Sequence, residues 1–441
     1  MFPIHRIKGY AWIVVTLSAF LLFYKYIMQV YPGIITNDIR TSFHISATQA
    51  GALVGVTFWA IVITQLFSGI LLDRFGFRLI SALSLVVTSL GLLLFIWAAI
   101  DGNLAFGYIS RIMIGIGIAF ATVSYIKAIS VWFTPRQFAF ASSFLMSAAM
   151  IGAIAGQAPL ALLVKSTGSW HTGLTICALG GLGVAVIYWL VVRDQNPDKP
   201  LTQAQNENKF DTTALKSVLT NRNNWLLMLY AGLSFTTIDA FAGLWGNNYF
   251  REAYDISVQH AAGVISMIFL GMAIGAPIVG KISERLDQRL PLMIGFHFIA
   301  TIMLSLVLLM RLPLWLVSIC LFIFGFCLGI YMLAFAIGRR INPIWVTATV
   351  AALINTGEPV FGALFDPLIG FFLDLNWSGQ YLDAHGHIIA HVSGHTSTAG
   401  LIKHFNINAY HQAFIVLVAS MVISLLLLFF IRDQQPDQGA Q

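Results

Sequence analysis

The sequence predicts an all-α integral membrane protein with twelve transmembrane helices in two related six-helix bundles. Three observations support this fold class: an apolar composition, twelve apolar runs of membrane-spanning length, and a charged loop that recurs in the second half of the chain. Of the 441 residues, 58% are hydrophobic and only 10% are charged, whereas a soluble domain is about 25% charged. No soluble core hides this much apolar surface, so the chain belongs in a lipid bilayer.

Twelve runs reach the length of about 20 mainly apolar residues that a helix needs to cross a bilayer. We number them spans 1 to 12. Helices are expected rather than strands because backbone groups in lipid must bond within their own segment, and no run alternates like a barrel strand. The predicted spans are residues 10–31, 48–72, 78–99, 104–131, 138–163, 171–192, 224–250, 259–281, 291–310, 313–337, 344–373 and 410–431.

The loops between the spans predict the orientation. Sixteen lysines and arginines fall in the segments on the same side as the N-terminus, and five fall in the segments on the other side. Positive loops stay in the cytoplasm, so both termini are expected there, in a bacterial inner membrane. The first run follows a basic start and has no small-residue cleavage site, which favours a retained anchor over a signal peptide.

A repeat divides the chain in two. The loop GILLDRFGFR, residues 69–78, recurs as GKISERLDQR, residues 280–289, and a glycine, an acidic residue and two arginines stay in register. Repeats at equivalent loops indicate two related halves. The polar stretch between them predicts an N-terminal bundle at 1–192, a cytoplasmic linker at 193–223, and a C-terminal bundle at 224–441 with an outer loop at 375–409.

Two motifs connect the chain to a known family. Residues 69–78 match every fixed position of the loop motif G-x-L-x-D-R-x-G-x-R/K, and Arg111, Gly115 and Gly117 in span 4 match R-x-x-x-G-x-G. With these motifs the chain resembles the Major Facilitator Superfamily over essentially its whole length. The resemblance implies two bundles with the substrate between them, alternating access, monomeric action, and gating by Gly69, Asp73, Arg74, Gly76, Arg78 and Arg111.

One motif of that family is altered. Exporters of the drug/proton type carry G-x-x-x-G-P in span 5, whereas this chain has GAIAGQAP at residues 152–159, with Gln157 in the place of the proline. The change disfavours a multidrug antiporter.

Acidic residues inside the spans are candidates for proton coupling. Such residues are costly in lipid and usually face a cavity or a partner. Glu358 and Asp366 in span 11 share a helix face with Asn355, and Asp239 lies in span 7. We predict that Glu358, Asp239 and Asp366 bind protons. The alternative is that they form buried ion pairs that only hold helices together.

Basic and polar residues in the spans are candidates for substrate binding. Lys25 in span 1 and Lys127 in span 4 are predicted to meet an anionic group, although either could instead extend its amine along the lipid-facing surface to the membrane interface. Aromatic and amide groups are predicted to shape the site: Tyr24, Gln29, Tyr125, Trp245, Asn248, Tyr331 and Asn355.

Histidines cluster around the outer loop before span 12. Six lie between residues 377 and 411, and clustered histidines can bind zinc, copper or nickel. No cysteine and no H-x-x-x-H pair on a helix supports a closed site, so no metal is predicted. The segment GQYLDAHGHIIAHVSG also fits a glycine-turned hairpin. His297 in span 9 is predicted to be a hydrogen-bonded core residue.

These features together predict a secondary active transporter. The sequence has no phosphate-binding loop, catalytic triad or metalloprotease motif, so neither an enzyme nor an organic cofactor is expected, and nucleic acid is not an expected partner. We predict proton-coupled uptake of a small organic anion or zwitterion, such as a carboxylate, amino acid, peptide or carboxylate-type metal chelate. The alternatives are a proton-driven exporter of drugs or metabolites and, less favoured, a non-transporting sensor.

Overall fold

The computed structural model describes residues 9–195, 212–286, 289–343, 346–382, 388–390 and 401–433. This part of the chain is almost entirely helical. Its helices are α1 Tyr10–Val30, α2 Thr36–Phe43, α3 Ala47–Phe75, α4 Phe77–Asp101, α5 Leu104–Ile118, α6 Ala121–Trp132, α7 Pro135–Ala155, α8 Ala158–Thr167, α9 Trp170–Val191, α10 Thr212–Thr220, α11 Arg222–Ala240, α12 Gly246–Tyr254, α13 Val258–Leu286, α14 Arg289–Leu309, α15 Leu314–Leu328, α16 Leu333–Arg340, α17 Thr347–Leu375 and α18 Ile407–Leu428.

The twelve predicted spans are present. Within the described residues, eleven helical segments are long and apolar enough to cross a membrane. The twelfth is α17, whose 29 residues exceed the required length of about 20. The all-helical, twelve-span fold predicted from the sequence is therefore confirmed, with boundaries that differ by a few residues.

Several spans are not continuous α-helices, which the sequence analysis did not predict. Apolar patterning gives the length of a span but not local changes of helix type. Irregular backbone at membrane depth is tolerated only where protein or a cavity surrounds it. The changes are a 3₁₀ turn at Tyr31–Gly33 in span 1, a break between α5 and α6 in span 4, a break between α7 and α8 in span 5, a π-turn at Phe241–Trp245 in span 7, and a 3₁₀ turn at Gly329–Met332 in span 10.

The predicted linker, residues 193–223, is partly helical. α10 occupies Thr212–Thr220, and α11 begins at Arg222. The polar composition that predicted an irregular loop did not reveal this helix. Residues 196–211 lie outside the described part of the chain.

The chain groups into two compact units that do not coincide with the predicted halves. Unit 1 comprises Met1–Asn196, Asp239–Ser266 and Ala363–Phe414, and unit 2 comprises Pro197–Ile238, Met267–Gly362 and Ile415–Gln441. Unit 1 thus contains the first six spans and one end of spans 7, 8, 11 and 12. We call this end the outer end, because it is the outer end in the predicted orientation. The division into two bundles at the linker remains a prediction.

Close packing within unit 1 explains the glycines of the span 4 motif. A Cβ atom on Gly115 would overlap the carbonyl oxygen of Thr57 in α3. Small residues let membrane helices approach backbone to backbone, so Gly115 brings spans 2 and 4 together. Large apolar side chains such as Leu66 and Ile100 are more than half exposed, as expected for a lipid-facing surface.

A small antiparallel sheet follows span 11. Its strands are β1 Gln380–Leu382, β2 Ile388–Ala390 and β3 Ile402–Lys403, in the order β2-β1-β3. Gln380 pairs with Ala390 and Leu382 with Ile388. The predicted hairpin is therefore confirmed, although its turn, residues 383–387, lies outside the described residues.

Candidate functional site

Lys25 is a buried cation in the outer half of α1. The residue is 7% exposed, and its Nζ lies 5.2 Å from the centroid of the Tyr26 ring. Among the described residues, no carboxylate oxygen lies within 4 Å of that nitrogen. Burial inside the protein argues against a lysine that extends along the lipid-facing surface. Lys25 is thus a positive charge without an ion-pair partner in the described chain.

Gln29 lies one helical turn after Lys25, on the same face of α1. The residue is 4% exposed, and its Oε1 has no hydrogen-bond donor among the described residues. A buried polar group without a partner is uncommon. One face of α1 therefore presents an ammonium group and an amide oxygen that neighbouring side chains do not engage.

Asp366 is enclosed within unit 1, near Arg111. It is 1% exposed, and its Oδ1 has no donor among the described residues. The backbone oxygen of Asp366 accepts a bond of 3.3 Å from Trp245 Nε1. The charge of Arg111 acts on the Asp366 carboxylate, but among the described residues the two groups form no ion pair within 4 Å. The Arg111 guanidinium donates instead to Tyr31 Oη at 2.9 Å. Asp366, with a predicted role in proton coupling, and Arg111, with a predicted role in gating, thus lie in one buried group of residues.

Two other predicted residues of span 7 lie on either side of its π-turn. Asp239 is 6% exposed, two residues before the turn. Asn248 follows the turn, and its Nδ2 donates to Asn37 Oδ1 at 3.0 Å. Asn248 therefore holds span 7 to the segment after span 1, which is a structural contact beside its predicted substrate role.

Two predicted substrate residues make hydrogen bonds to neighbouring spans. The Tyr24 hydroxyl lies 3.1 Å from Ser89 Oγ and donates to Cys177 O at 3.3 Å, so it faces spans 3 and 6. The Tyr125 hydroxyl is fully buried and donates to Ala141 O in span 5 at 2.7 Å. Both hydroxyls thus have partners within the protein, and the substrate role of the two tyrosines stays a prediction.

Lys127 pairs with a residue of the loop for which gating is predicted. Its Nζ lies 2.6 Å from Asp73 Oδ1, and both side chains are partly exposed, at 27% and 39%. The sequence predicts that Lys127 meets an anionic group of the substrate. The structure instead pairs it with the acidic residue of the loop motif, a contact between distant segments that spacing alone does not give.

Other residues with a predicted gating role tie the loop after span 2 to span 6. Arg78 donates from Nε to Trp189 O at 2.8 Å, and its backbone N–H donates to Asp194 Oδ1 at 2.8 Å. Gly76 has φ +82°, where a side chain would be strained and would also meet Asp194. Arg74 stacks over Phe75. Gly69 has open space around its Cα, so packing does not explain that glycine.

We expect Lys127→Met and Asp73→Asn to have equal effects on turnover and none on substrate affinity. A partly exposed ion pair contributes about 0.2–1 kcal/mol, so each change should alter kcat by about fivefold at most. The double variant should add little, because the two side chains form one interaction. Uptake kinetics in liposomes measure both constants. A large rise in KM in Lys127→Met alone would contradict this and restore the substrate role.

Unit 2 contains the remaining predicted residues. Tyr331 is 7% exposed in the 3₁₀ turn of span 10, with its ring centroid 5.0 Å from that of Phe235. Asn355 and Glu358 are half-buried in α17. The Glu358 carbonyl oxygen accepts from Thr236 Oγ1 at 3.3 Å, so span 7 and span 11 are joined next to that carboxylate.

The outer end of unit 1 carries a polar cluster that the sequence analysis missed. Asp374 Oδ2 accepts from the Thr48 backbone N–H at 2.8 Å, and Asp374 Oδ1 lies 3.2 Å from Lys403 Nζ. Arg40 Nη2 donates to Lys403 O at 2.8 Å. Burial lowers the pKa of Arg40 to about 10, which leaves it charged at neutral pH. The strand β3 is thereby fastened to both α2 and α17.

The histidines divide between described and undescribed segments. His404 Nε2 lies 3.3 Å from Glu252 Oε1 at the outer end. His385, His387, His391 and His395 lie outside the described residues. Within the described part, no group of three or more potential ligands could hold a metal ion. His297 is buried, with Nε2 2.8 Å from Ser424 Oγ and 3.1 Å from Met421 O, as predicted for a core histidine.

Twelve apolar spans with buried ionisable groups define a multi-pass membrane protein of the carrier type. The sequence model of the Major Facilitator Superfamily matches residues 13–365. The chain belongs to this family of membrane transporters, so the resemblance found from its motifs is confirmed.

Relatives in sequence and structure agree with this assignment. The uncharacterized transporter YybO of Bacillus subtilis (strain 168) is 23% identical over 83% of this chain and 88% of that protein. A probable L-galactonate transporter of Escherichia coli (strain K12) is 26% identical over 62% of each chain. Other relatives are named as galactarate/D-glucarate, hexuronate and lysosomal dipeptide transporters.

A solved structure shows the same fold. It is a bacterial homolog of the human lysosomal transporter Spinster in an inward-facing, unoccupied conformation. The two chains superpose with a TM-score of 0.76 at 17% identity, over 98% of this chain and 100% of that one.

Proposed function

We propose that this transporter takes up a small organic anion or zwitterion together with protons. The observation that carries the proposal is Lys25, a buried ammonium group for which the described residues offer no carboxylate within 4 Å. A buried charge is costly unless a partner neutralises it. A carboxylate on the transported substrate supplies that partner when the substrate binds, so the protein needs no carboxylate of its own beside Lys25.

Gln29 narrows the chemistry of the substrate. Its unoccupied Oε1 accepts a hydrogen bond and so suits a hydroxyl or amine near the carboxylate. Sugar acids carry a carboxylate beside hydroxyl groups, and amino acids and peptides carry one beside an ammonium or amide N–H. The names of the sequence relatives, which include sugar-acid and dipeptide transporters, fall in the same two classes.

Buried carboxylates supply the proton-binding step of the proposal. An ionised Asp366 in an apolar span costs several kcal/mol of folding free energy unless it is paired. Arg111 acts on this charge but forms no ion pair with it. Protonation removes the charge of Asp366 and so favours the conformation in which protein encloses this side chain. Deprotonation restores the charge and favours a conformation in which water reaches the side chain. We assign the same role to Asp239 and Glu358. The protein acts as a monomer in a bacterial inner membrane with both termini in the cytoplasm.

Uptake into liposomes tests the proposal. Purified protein is reconstituted with an alkaline interior, and accumulation of radiolabelled galactonate and of a labelled dipeptide is followed. We expect at least one of them to accumulate, and a proton ionophore to abolish the accumulation. Uptake that ignores the imposed pH gradient would remove proton coupling. Extrusion of lipophilic cations without uptake of either anionic substrate would favour the exporter instead.

A further inference from the structure

The π-turn of span 7 leaves a backbone carbonyl available to another helix. In an α-helix the N–H of Gly246 would donate to Ala242 O, four residues earlier. In the turn Phe241–Trp245 it donates to Phe241 O instead. Insertions of this kind are frequent at functional sites. Ala242 O has therefore lost its helical donor, and Gln157 of span 5 takes the vacated position.

Gln157 uses both ends of its side-chain amide on span 7. Its Nε2 donates to Ala242 O at 2.7 Å, and its Oε1 accepts from Asn247 Nδ2 at 3.0 Å. The residue is fully buried and lies between α7 and α8, where its φ of −107° and ψ of −108° interrupt span 5. The break in one helix thus faces the break in the other.

Neighbouring contacts close the same end of unit 1. Thr36 Oγ1 donates to Leu244 O, a second carbonyl of the turn, at 2.9 Å. A Cβ atom on Gly33 would lie only 3.0 Å from Gly243 O, so the segment after span 1 also approaches the turn closely. The π-turn is therefore held by Gln157 of span 5 and by the segment that follows span 1.

We infer that Gln157 acts as a latch. Its two hydrogen bonds keep the outer end closed, and the π-turn of span 7 allows these bonds to be released. Opening separates Gln157 from Ala242 O, and the turn then returns to the ordinary α-helical register. The N–H of Gly246 moves from Phe241 O to Ala242 O, and the N–H of Trp245 becomes the donor to Phe241 O. The carbonyl never stays unpaired, and the freed amide meets water, so opening avoids the penalty of a buried group without a partner. This role extends beyond the proposed function, because it concerns access to the site and not the identity of its ligand.

Labelling of a buried cysteine tests the latch. Ala262 in α13 lies near the outer end, is fully buried, and packs in the same apolar cluster as the first six spans. The reporter protein carries Ala262→Cys with Cys177, Cys320 and Cys327 changed to alanine, and a hydrophilic maleimide measures the accessibility of the new thiol in detergent. Adding Gln157→Met keeps side-chain length but removes both hydrogen bonds. We expect labelling to become about tenfold faster.

Gln259→Met is the matched control. Gln259 also donates across this end, to Ala161 O at 3.3 Å, but outside the π-turn. We expect labelling within twofold of the parent. An unchanged rate in Gln157→Met, or an equal rise in Gln259→Met, overturns the latch. Size-exclusion chromatography verifies that each variant folds. If Gln157→Met does not fold, Thr36→Val replaces it as the test and should be labelled about fivefold faster than the parent. An unchanged labelling rate in Thr36→Val overturns the inference. The assay uses no substrate or proton gradient, so it stands if proton-coupled uptake fails.

Discussion

Replacing Lys25 by glutamine is expected to lower the uptake efficiency, kcat/KM, of the transported anion by about tenfold to a hundredfold. A hydrogen bond to a charged group contributes about 1.5–3 kcal/mol, and the substitution removes the ammonium group while retaining most of the side-chain volume. The loss should appear mainly in KM, because the carboxylate binds less well. Concentration-dependent uptake in liposomes gives both constants, and Lys25→Arg should retain more activity than Lys25→Gln because it keeps the charge.

Lys165→Gln provides the comparison. Lys165 is also basic and lies at the end of α8, but it is exposed, so the same substitution there should leave KM within twofold. Equal losses in the two variants would point to a general effect of charge near the membrane rather than a binding role. A normal KM in Lys25→Gln would contradict the proposed contact with the substrate.

The fold could be predicted from the sequence because its determinants are local. The length of an apolar run decides whether it spans the bilayer, and loop charge predicts its direction. Changes inside a span could not be predicted in the same way. The π-turn at Phe241–Trp245 depends on partners that lie far away in the chain, Gln157 and Thr36, and the residues of the turn are themselves ordinary apolar ones.

The candidate site was predicted less completely, for the same physical reason. Residue type and depth singled out Lys25 and Asp366 as candidates, and both side chains are buried in the structure. Which way a side chain points depends on the tertiary packing of several helices. Tyr24 therefore proved to face Ser89, and Lys127 proved to pair with Asp73. The sequence marks Gln157 only as the residue in the place of a motif proline, whereas in the structure its amide bonds to Ala242 and Asn247 of span 7.

The second large effect is expected from Asp366→Asn. Asparagine has nearly the same shape as aspartate but cannot bind and release a proton at neutral pH. If Asp366 carries the proton, the variant should lose accumulation driven by a pH gradient, so that the inside concentration only equals the outside one. Exchange of labelled for unlabelled substrate at equal pH needs no net proton movement, so it should persist at a rate within a few-fold of the unmodified protein. Both measurements use the same liposomes.

Asp374→Asn separates proton coupling from a general requirement for acidic groups in span 11. Asp374 lies on the same helix but is bonded to Thr48 and Lys403 at its outer end, so its carboxylate already has fixed partners and no need of a proton. Its variant should still accumulate substrate. Retained accumulation in Asp366→Asn would contradict the proposed role of Asp366. Loss of both accumulation and exchange would mean instead that the carboxylate is required to hold Arg111 in place.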